Sequence, residues 1–143
     1  MQFVLDNSVT MRWLFNDGSH SDQTYAKYVL HLIEDGNVIV PDVWYLEVAN
    51  VIARAESKFG LTEARSSAFF HVLQQMNIQV DQETARHALG DTLQLARRYN
   101  LSAYDASYLE LALRKGLPVA TLDDALLKAL KKAGGKRLTS KLQ

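Results

Sequence analysis

Short runs of apolar, often β-branched residues alternate along this chain with longer segments whose apolar residues recur every three or four positions. The short runs are Gln2 to Leu5, Val38 to Val40, Ile78 to Val80 and Leu117 to Leu122. Such runs read as brief, buried strands, and the intervening segments read as helices. Parallel strands need a crossover that returns the chain to the same end of the sheet, and a helix is the usual crossover. The order therefore predicts an α/β fold: a three-layer α/β/α sandwich around a mainly parallel central sheet.

Local signals sharpen that outline. Ser8 is placed to cap a first helix carrying Val9, Arg12, Trp13 and Leu14, and Asn16-Asp17-Gly18-Ser19 reads as a turn. A helix is expected from about Ser21 to Glu34, stopped by Asp35-Gly36-Asn37. Asp42 is placed to cap the next one, with a stripe of Trp44, Val48, Val51, Ile52, Ala55 and Phe59 that Gly60 ends. Thr62 to Gln75 carries another helical pattern. Glu83 to Tyr99 reads as one long amphipathic helix that Gly90 weakens without breaking. Ser102 opens a helix closing near Lys115-Gly116, and Asp123 to Lys132 forms a last one before Gly134-Gly135. Lys136 to Thr139 is a candidate edge strand.

With 143 residues, 48% of them hydrophobic, the chain suits one domain spanning residues 1–143. No Pro/Ser/Gly-rich linker, internal repeat or low-complexity segment divides it. It has no cysteine, which excludes disulfides and thiolate metal sites and is compatible with a reducing cytoplasm. No apolar run is long enough to span a bilayer, and the acid at Asp6 breaks the N-terminal run that a signal peptide would need. Sixteen basic residues balance sixteen acidic ones, so net charge gives no argument for a nucleic-acid partner. The distribution is uneven, however. Lys128, Lys131, Lys132, Lys136, Arg137 and Lys141 follow one another without an acid, and Arg97-Arg98 and Arg114-Lys115 add smaller clusters. They read either as solvated helix faces or as phosphate attraction.

Four carboxylates sit at the punctuation of this pattern. Asp6 ends the first apolar run and Asp123 closes the last, while Glu47 and Asp105 fall in first helical turns on apolar stripes. In open α/β sheets, ligands bind outside the carboxyl ends of the strands, the rim to which all four belong. An acid on an inward stripe is costly unless something compensates it. A divalent cation does so. A helix cap does so too, and Ser102-x-x-Asp105 and Asp123 before Asp124-Ala125-Leu126 both resemble caps. Glu47, a full turn inside its helix, resists that explanation.

Competing chemistries find less support. His20, His31, His71 and His87 form no zinc-binding pair on one helix face, and Gly134-Gly135 lacks the spacing and the following Lys-Ser or Lys-Thr of a phosphate loop. Ser8 has no partner His for nucleophilic catalysis, and Trp13, Trp44 and Phe69 read as core.

In order along the chain, four segments resemble the motifs of PIN-domain nucleases, in particular the VapC-like toxins of toxin–antitoxin pairs. Phe3-Val4-Leu5-Asp6-Asn7-Ser8-Val9 is similar to their first strand and Asp-x-Ser motif. Pro41 to Asn50 is similar to the second motif, with Glu47 in the acidic position. Leu101 to Tyr108 matches the third through Asp105, and Pro118 to Asp123 the fourth through Thr121 and Asp123. The adjacent Asp124 makes the choice of Asp123 depend on its spacing from Thr121.

What the resemblance implies is a Mg²⁺-dependent (or Mn²⁺-dependent) endoribonuclease, usually a homodimer, paired with a small DNA-binding antitoxin protein. Asp6, Asp105 and Asp123 are then the expected metal contacts, and Glu47 a further ligand or the group that holds and deprotonates the attacking water. Ser8, Thr121 and Asn7 are expected to support a carboxylate or to contact a phosphate oxygen. Two alternatives stay open: a housekeeping or DNA-directed nuclease of the same family, and a non-catalytic RNA- or protein-binding module in which the acids only cap helices.

Overall fold

The computed structural model of the chain describes residues 1–139. Four parallel strands form the sheet, in the order β3-β2-β1-β4: β1 (Gln2–Leu5), β2 (Asn37–Val40), β3 (Ile78–Val80) and β4 (Val119–Ala120). Phe3 lies opposite Val38, Val40 opposite Val80, and Leu5 opposite Ala120. Phe3, Val4 and Leu5 are wholly buried, as expected of a central parallel strand covered on both faces. The order has one consequence for ligand binding. The chain adds β2 and β3 on one side of β1 and returns to add β4 on the other, so the strand order reverses between β1 and β4. A crevice at the carboxyl ends of such a pair is where open α/β sheets take ligands.

Among the described residues, eight helices flank this sheet: α1 (Asn7–Leu14), α2 (His20–Glu34), α3 (Trp44–Lys58), α4 (Glu63–Gln74), α5 (Thr84–His87), α6 (Leu93–Tyr99), α7 (Ala103–Lys115) and α8 (Asp124–Lys132). The α/β architecture expected from the sequence is the one observed. Trp44, Leu109, Leu126 and Leu130 project from the helices into the core with no exposed surface. Polar side chains fix where several helices begin. Ser19 and Asp22 make a reciprocal capping box at α2, Thr62 accepts the Arg65 N–H at α4, and Ser102 accepts the Asp105 N–H at α7. Gly116, in the left-handed region at φ 64°, ends α7. None of the described helices is long and apolar enough to cross a membrane.

The structure departs from the sequence reading at five points. Ser8 does not cap α1; Asp6 is the boundary residue and Ser8 lies one residue inside the helix. Asp42 does not cap α3, because Val43 occupies the boundary position. Gly90 breaks the expected long helix: it leaves helical dihedrals (φ −105°, ψ −107°) and separates α5 from α6 across Ala88–Thr92. The last strand is shorter than Leu117 to Leu122. Beyond Ala120, the Leu122 N–H donates to Ser8 Oγ (2.9 Å) and the Asp123 N–H to Thr121 Oγ1 (3.0 Å), so side chains satisfy groups that a longer ladder would use. The candidate edge strand at Lys136 to Thr139 is reduced to one parallel bridge between Val119 and Arg137. The end of the basic tail, Lys141, lies outside the described residues.

Candidate active site

Asp6 stands at the carboxyl end of β1 and is 6% exposed. Its Oδ2 accepts hydrogen bonds from Ser8 Oγ (2.6 Å) and Thr121 Oγ1 (2.9 Å). The two hydroxyls come from opposite sides of the strand reversal, one from α1 and one from the segment after β4. Ser8 thereby joins the two rims, since its oxygen also receives the Leu122 N–H at 2.9 Å. Its part is to hold Asp6 rather than to start a helix. Thr121, wholly buried, likewise binds Asp6 and accepts the Asp123 N–H.

Glu47, one turn into α3, is held from two sides. Tyr108 of α7 donates its phenolic hydrogen to Glu47 Oε1. Asn7 Nδ2 reaches the same oxygen at 3.5 Å and the Trp44 carbonyl at 3.4 Å. Helical spacing places Tyr108 three residues after Asp105, on the same face of α7. The phenol of a residue with no exposed surface needs a partner, and that general rule was the one signal available. Glu47 stands 61 residues away from it in the chain, too far for any spacing rule to link them.

Asp105 and Asp123 occupy helix starts, but only the Asp123 carboxylate is a cap; at α7 the cap is Ser102. The Asp105 N–H donates to Ser102 Oγ at 3.0 Å, and Asp123 Oδ1 accepts the Leu126 N–H at 2.9 Å. Both residues are partly exposed at the rim, where they act electrostatically on the other acids.

That coupling shows in the proton affinities. Burial pushes the Asp6 carboxyl up to about 6, the Ser8 and Thr121 hydrogen bonds oppose the shift, and the Asp105 and Asp123 charges add to it. Burial also raises Glu47; the Tyr108 hydrogen bond resists, and the Asp6 and Asp105 charges raise it further. Asp105 is raised by burial and by the Asp123 charge. Tyr108 is driven far above the ordinary phenol range by burial and by the carboxylates of Asp6 and Glu47, so it acts as a donor only.

Among the described residues, no three His, Asp or Glu side chains stand close enough to form a ready-made metal cage. A hydrated divalent cation does not require one, because Mg²⁺ keeps several waters and takes one or two carboxylates. The donor set suits such an ion: all its oxygens are hard ligands, and their mutual repulsion is relieved by positive charge. Asn7 Oδ1 is buried beside Glu47 without a hydrogen-bond partner, a vacant acceptor for a water at that position.

A family model described as the PIN domain matches residues 3–132. Among solved structures, this chain is similar to the crystal structure of PAE2754 from Pyrobaculum aerophilum. The two share 23% identity and a TM-score of 0.62, over 90% of this chain and 87% of that one. At that identity the likeness concerns the fold. No curated protein matches the chain.

Proposed function

The chain belongs to the PIN-domain family, whose members are in general metal-dependent nucleases, and from that premise we propose that it is a Mg²⁺-dependent endoribonuclease acting as the toxin of a toxin–antitoxin pair in the cytoplasm. The observation that carries the reading is Asp6. It is a nearly inaccessible carboxyl at the end of a central parallel strand, its proton affinity raised by burial and by the charges of Asp105 and Asp123. Acids perturbed by one another at a strand reversal mark a candidate functional site, and an all-oxygen donor set there suits metal-assisted phosphodiester hydrolysis.

In this reading Asp6, Asp105 and Asp123 would hold the cation directly or through water, with the Asp6 carboxylate fixed by Ser8 and Thr121. A cation held there would supply positive charge for the scissile phosphate and acidity for the attacking water. Glu47 takes the proton of that water. Because Tyr108 and Asn7 both bind Oε1, Oε2 is the oxygen left for the transfer. Water attacks phosphorus in line with the departing 3′-oxygen, which takes a proton from solvent as the P–O3′ bond breaks, leaving a 5′-phosphate and a 3′-hydroxyl. The 2′-hydroxyl takes no part, so the product ends separate this route from metal-free ribonucleases.

The toxin role and its partners, a small DNA-binding antitoxin and a second copy of the chain, are supported by the four ordered motifs. Exposed Tyr45 and Leu46 on α3 and Phe70 and Val72 on α4 are consistent with protein partners of that kind. Total cellular RNA incubated with the purified protein tests the catalytic part. Discrete cuts with 5′-phosphate ends are expected in Mg²⁺ and none in EDTA, whereas cutting that persists in EDTA removes the metal from the reaction. A second reading, the non-catalytic module, is favoured by one observation, the capping role of Asp123 at the start of α8. A thermal midpoint unmoved by millimolar Mg²⁺ or Mn²⁺, together with intact RNA, would support it.

A further inference from the structure

Two basic clusters that lie far apart in the sequence meet in one cleft of about 690 Å³. Arg98 and Asn100, at the end of α6 and just beyond it, form one wall with Tyr99; Asp124, Lys128 and Lys132 of α8 form the other. All three cations are exposed, and among the described residues none is in a salt bridge. Arg98 lies 5.8 Å from the Tyr99 ring centroid, a contact that restrains its guanidinium. Asp124, Lys128 and Lys132 are spaced by one helical turn each, so the two lysines share a face about 6 Å apart along the axis.

Helix dipoles account for part of this composition. Arg98 and Lys132 stand in the last turns of their helices, where cations are favoured. Lys128, in the middle of α8, has no such explanation. Nor does the dipole explain why two helices present their cations to the same space. In a chain of zero net charge, three cations facing one carboxylate are a local concentration with no counterpart in the bulk composition.

Position gives the cleft its meaning. One wall runs through Asn100 into Ser102, whose hydroxyl caps the helix at Asp105, and the other is the helix that Asp123 begins. The cleft therefore opens between the two segments that carry candidate acids. The geometry points to it as the channel for the substrate backbone: Arg98, Lys128 and Lys132 neutralise successive phosphates of an RNA strand whose scissile bond lies beside Asp105 and Asp123. This inference rests on the nuclease reading above and adds to it the path of the substrate.

The test separates binding from cutting. A fluorescent single-stranded RNA is titrated by anisotropy, in EDTA and over a range of KCl, with Asp6→Asn and with the same protein also carrying Arg98→Ala, Lys128→Ala and Lys132→Ala. Each phosphate contact contributes about 0.7 to the salt slope for a single strand, so removing three lowers the slope by about 2 and weakens binding at least tenfold at moderate salt. A control in the Asp6→Asn background, with Lys27, Lys58 and Lys115 replaced by Ala, has the same net charge and should keep the parent slope. An unchanged slope in the cleft variant, or an equal fall in the control, overturns the inference. A DNA strand of the same sequence should lose the same slope, because the recognised group is the phosphate. Thermal midpoints equal to the parent show that the exposed substitutions leave the fold intact. Cleavage by the wild-type chain in Mg²⁺ reports separately on the nuclease reading, so the cleft and the chemistry can fail independently.

Discussion

Asp6 places a carboxyl where folding has removed nearly all the water, and its ordinary affinity of 3.8 rises to about 6. Between those values the folded chain binds more protons at this position than the unfolded chain does. The stability contributed by this group is fully present below about pH 3.8 and is lost as pH rises through about 6, by about 3 kcal/mol in total. Asp6→Asn keeps an oxygen for the Ser8 and Thr121 hydroxyls and removes the buried charge. The variant, free of metal, should melt higher than the parent at pH 7 but not at pH 4, and should lose cleavage. A wild-type cleavage rate in Mg²⁺ would show that Asp6 is not part of the chemistry. Tyr108→Phe acts on the neighbouring acid. Without the phenolic donor, Glu47 binds its proton more tightly, so the acid limb of the rate profile should move to higher pH. We expect kcat to fall about tenfold with KM for RNA unchanged. A change confined to KM would place Tyr108 in substrate binding instead.

Helix α7 shows how single elements aim the candidate site. Ser102 fixes its start one residue before Ala103, and that start sets where Asp105 projects; Gly116 ends it in a backbone conformation that side chains disfavour. Ser102→Ala removes the cap and Gly116→Ala forces a Cβ into the left-handed region, each costing about 1 kcal/mol. The two sites lie at opposite ends of the helix, so their effects on the urea midpoint should add. Only Ser102→Ala should also slow cleavage, because only that change frees Asp105. The kink at Gly90 belongs to this scale as well. A continuous helix from Glu83 to Tyr99 was a fair reading of the apolar spacing, but spacing is nearly blind to one residue leaving helical dihedrals. The short segment after the break, α6, lies against α7 and brings Arg98 to the cleft.

Across the whole molecule, Arg114 ties the far end of α7 to the end of β3. It binds Glu110 at 2.8 and 3.0 Å and Asp81 through two guanidinium nitrogens, and both carboxylates are almost inaccessible. Arg114→Met leaves two buried acids without their cation and should lower the unfolding free energy by about 3–5 kcal/mol in denaturant. Replacing Asp81 by Asn and Glu110 by Gln in that background should restore most of the loss. A small effect of Arg114→Met alone would mean that water already solvates the pair.

Strand and helix periods depend on neighbours a few positions apart, so the four strands and most of the helix boundaries could be read directly from the amino-acid order. The positions of Asp6, Glu47, Asp105 and Asp123 at ends of strands or starts of helices followed from the same local rules. Ser8 shows where those rules stop: a serine at a helix start looks like a cap, and only the return of β4 beside β1 supplies Leu122 and Thr121 to its hydroxyl. The Tyr108–Glu47 bond, the Arg114–Asp81 tie and the meeting of Arg98 with Lys128 have the same origin. Each joins residues 30 or more positions apart in the chain, and each depends on the order in which crossovers lay strands beside one another. Local chemistry determined what the elements are and which acids they carry at their ends. Tertiary packing alone decided which of those groups share a proton, a partner or a cleft, because such contacts become possible only after the sheet has closed the distance.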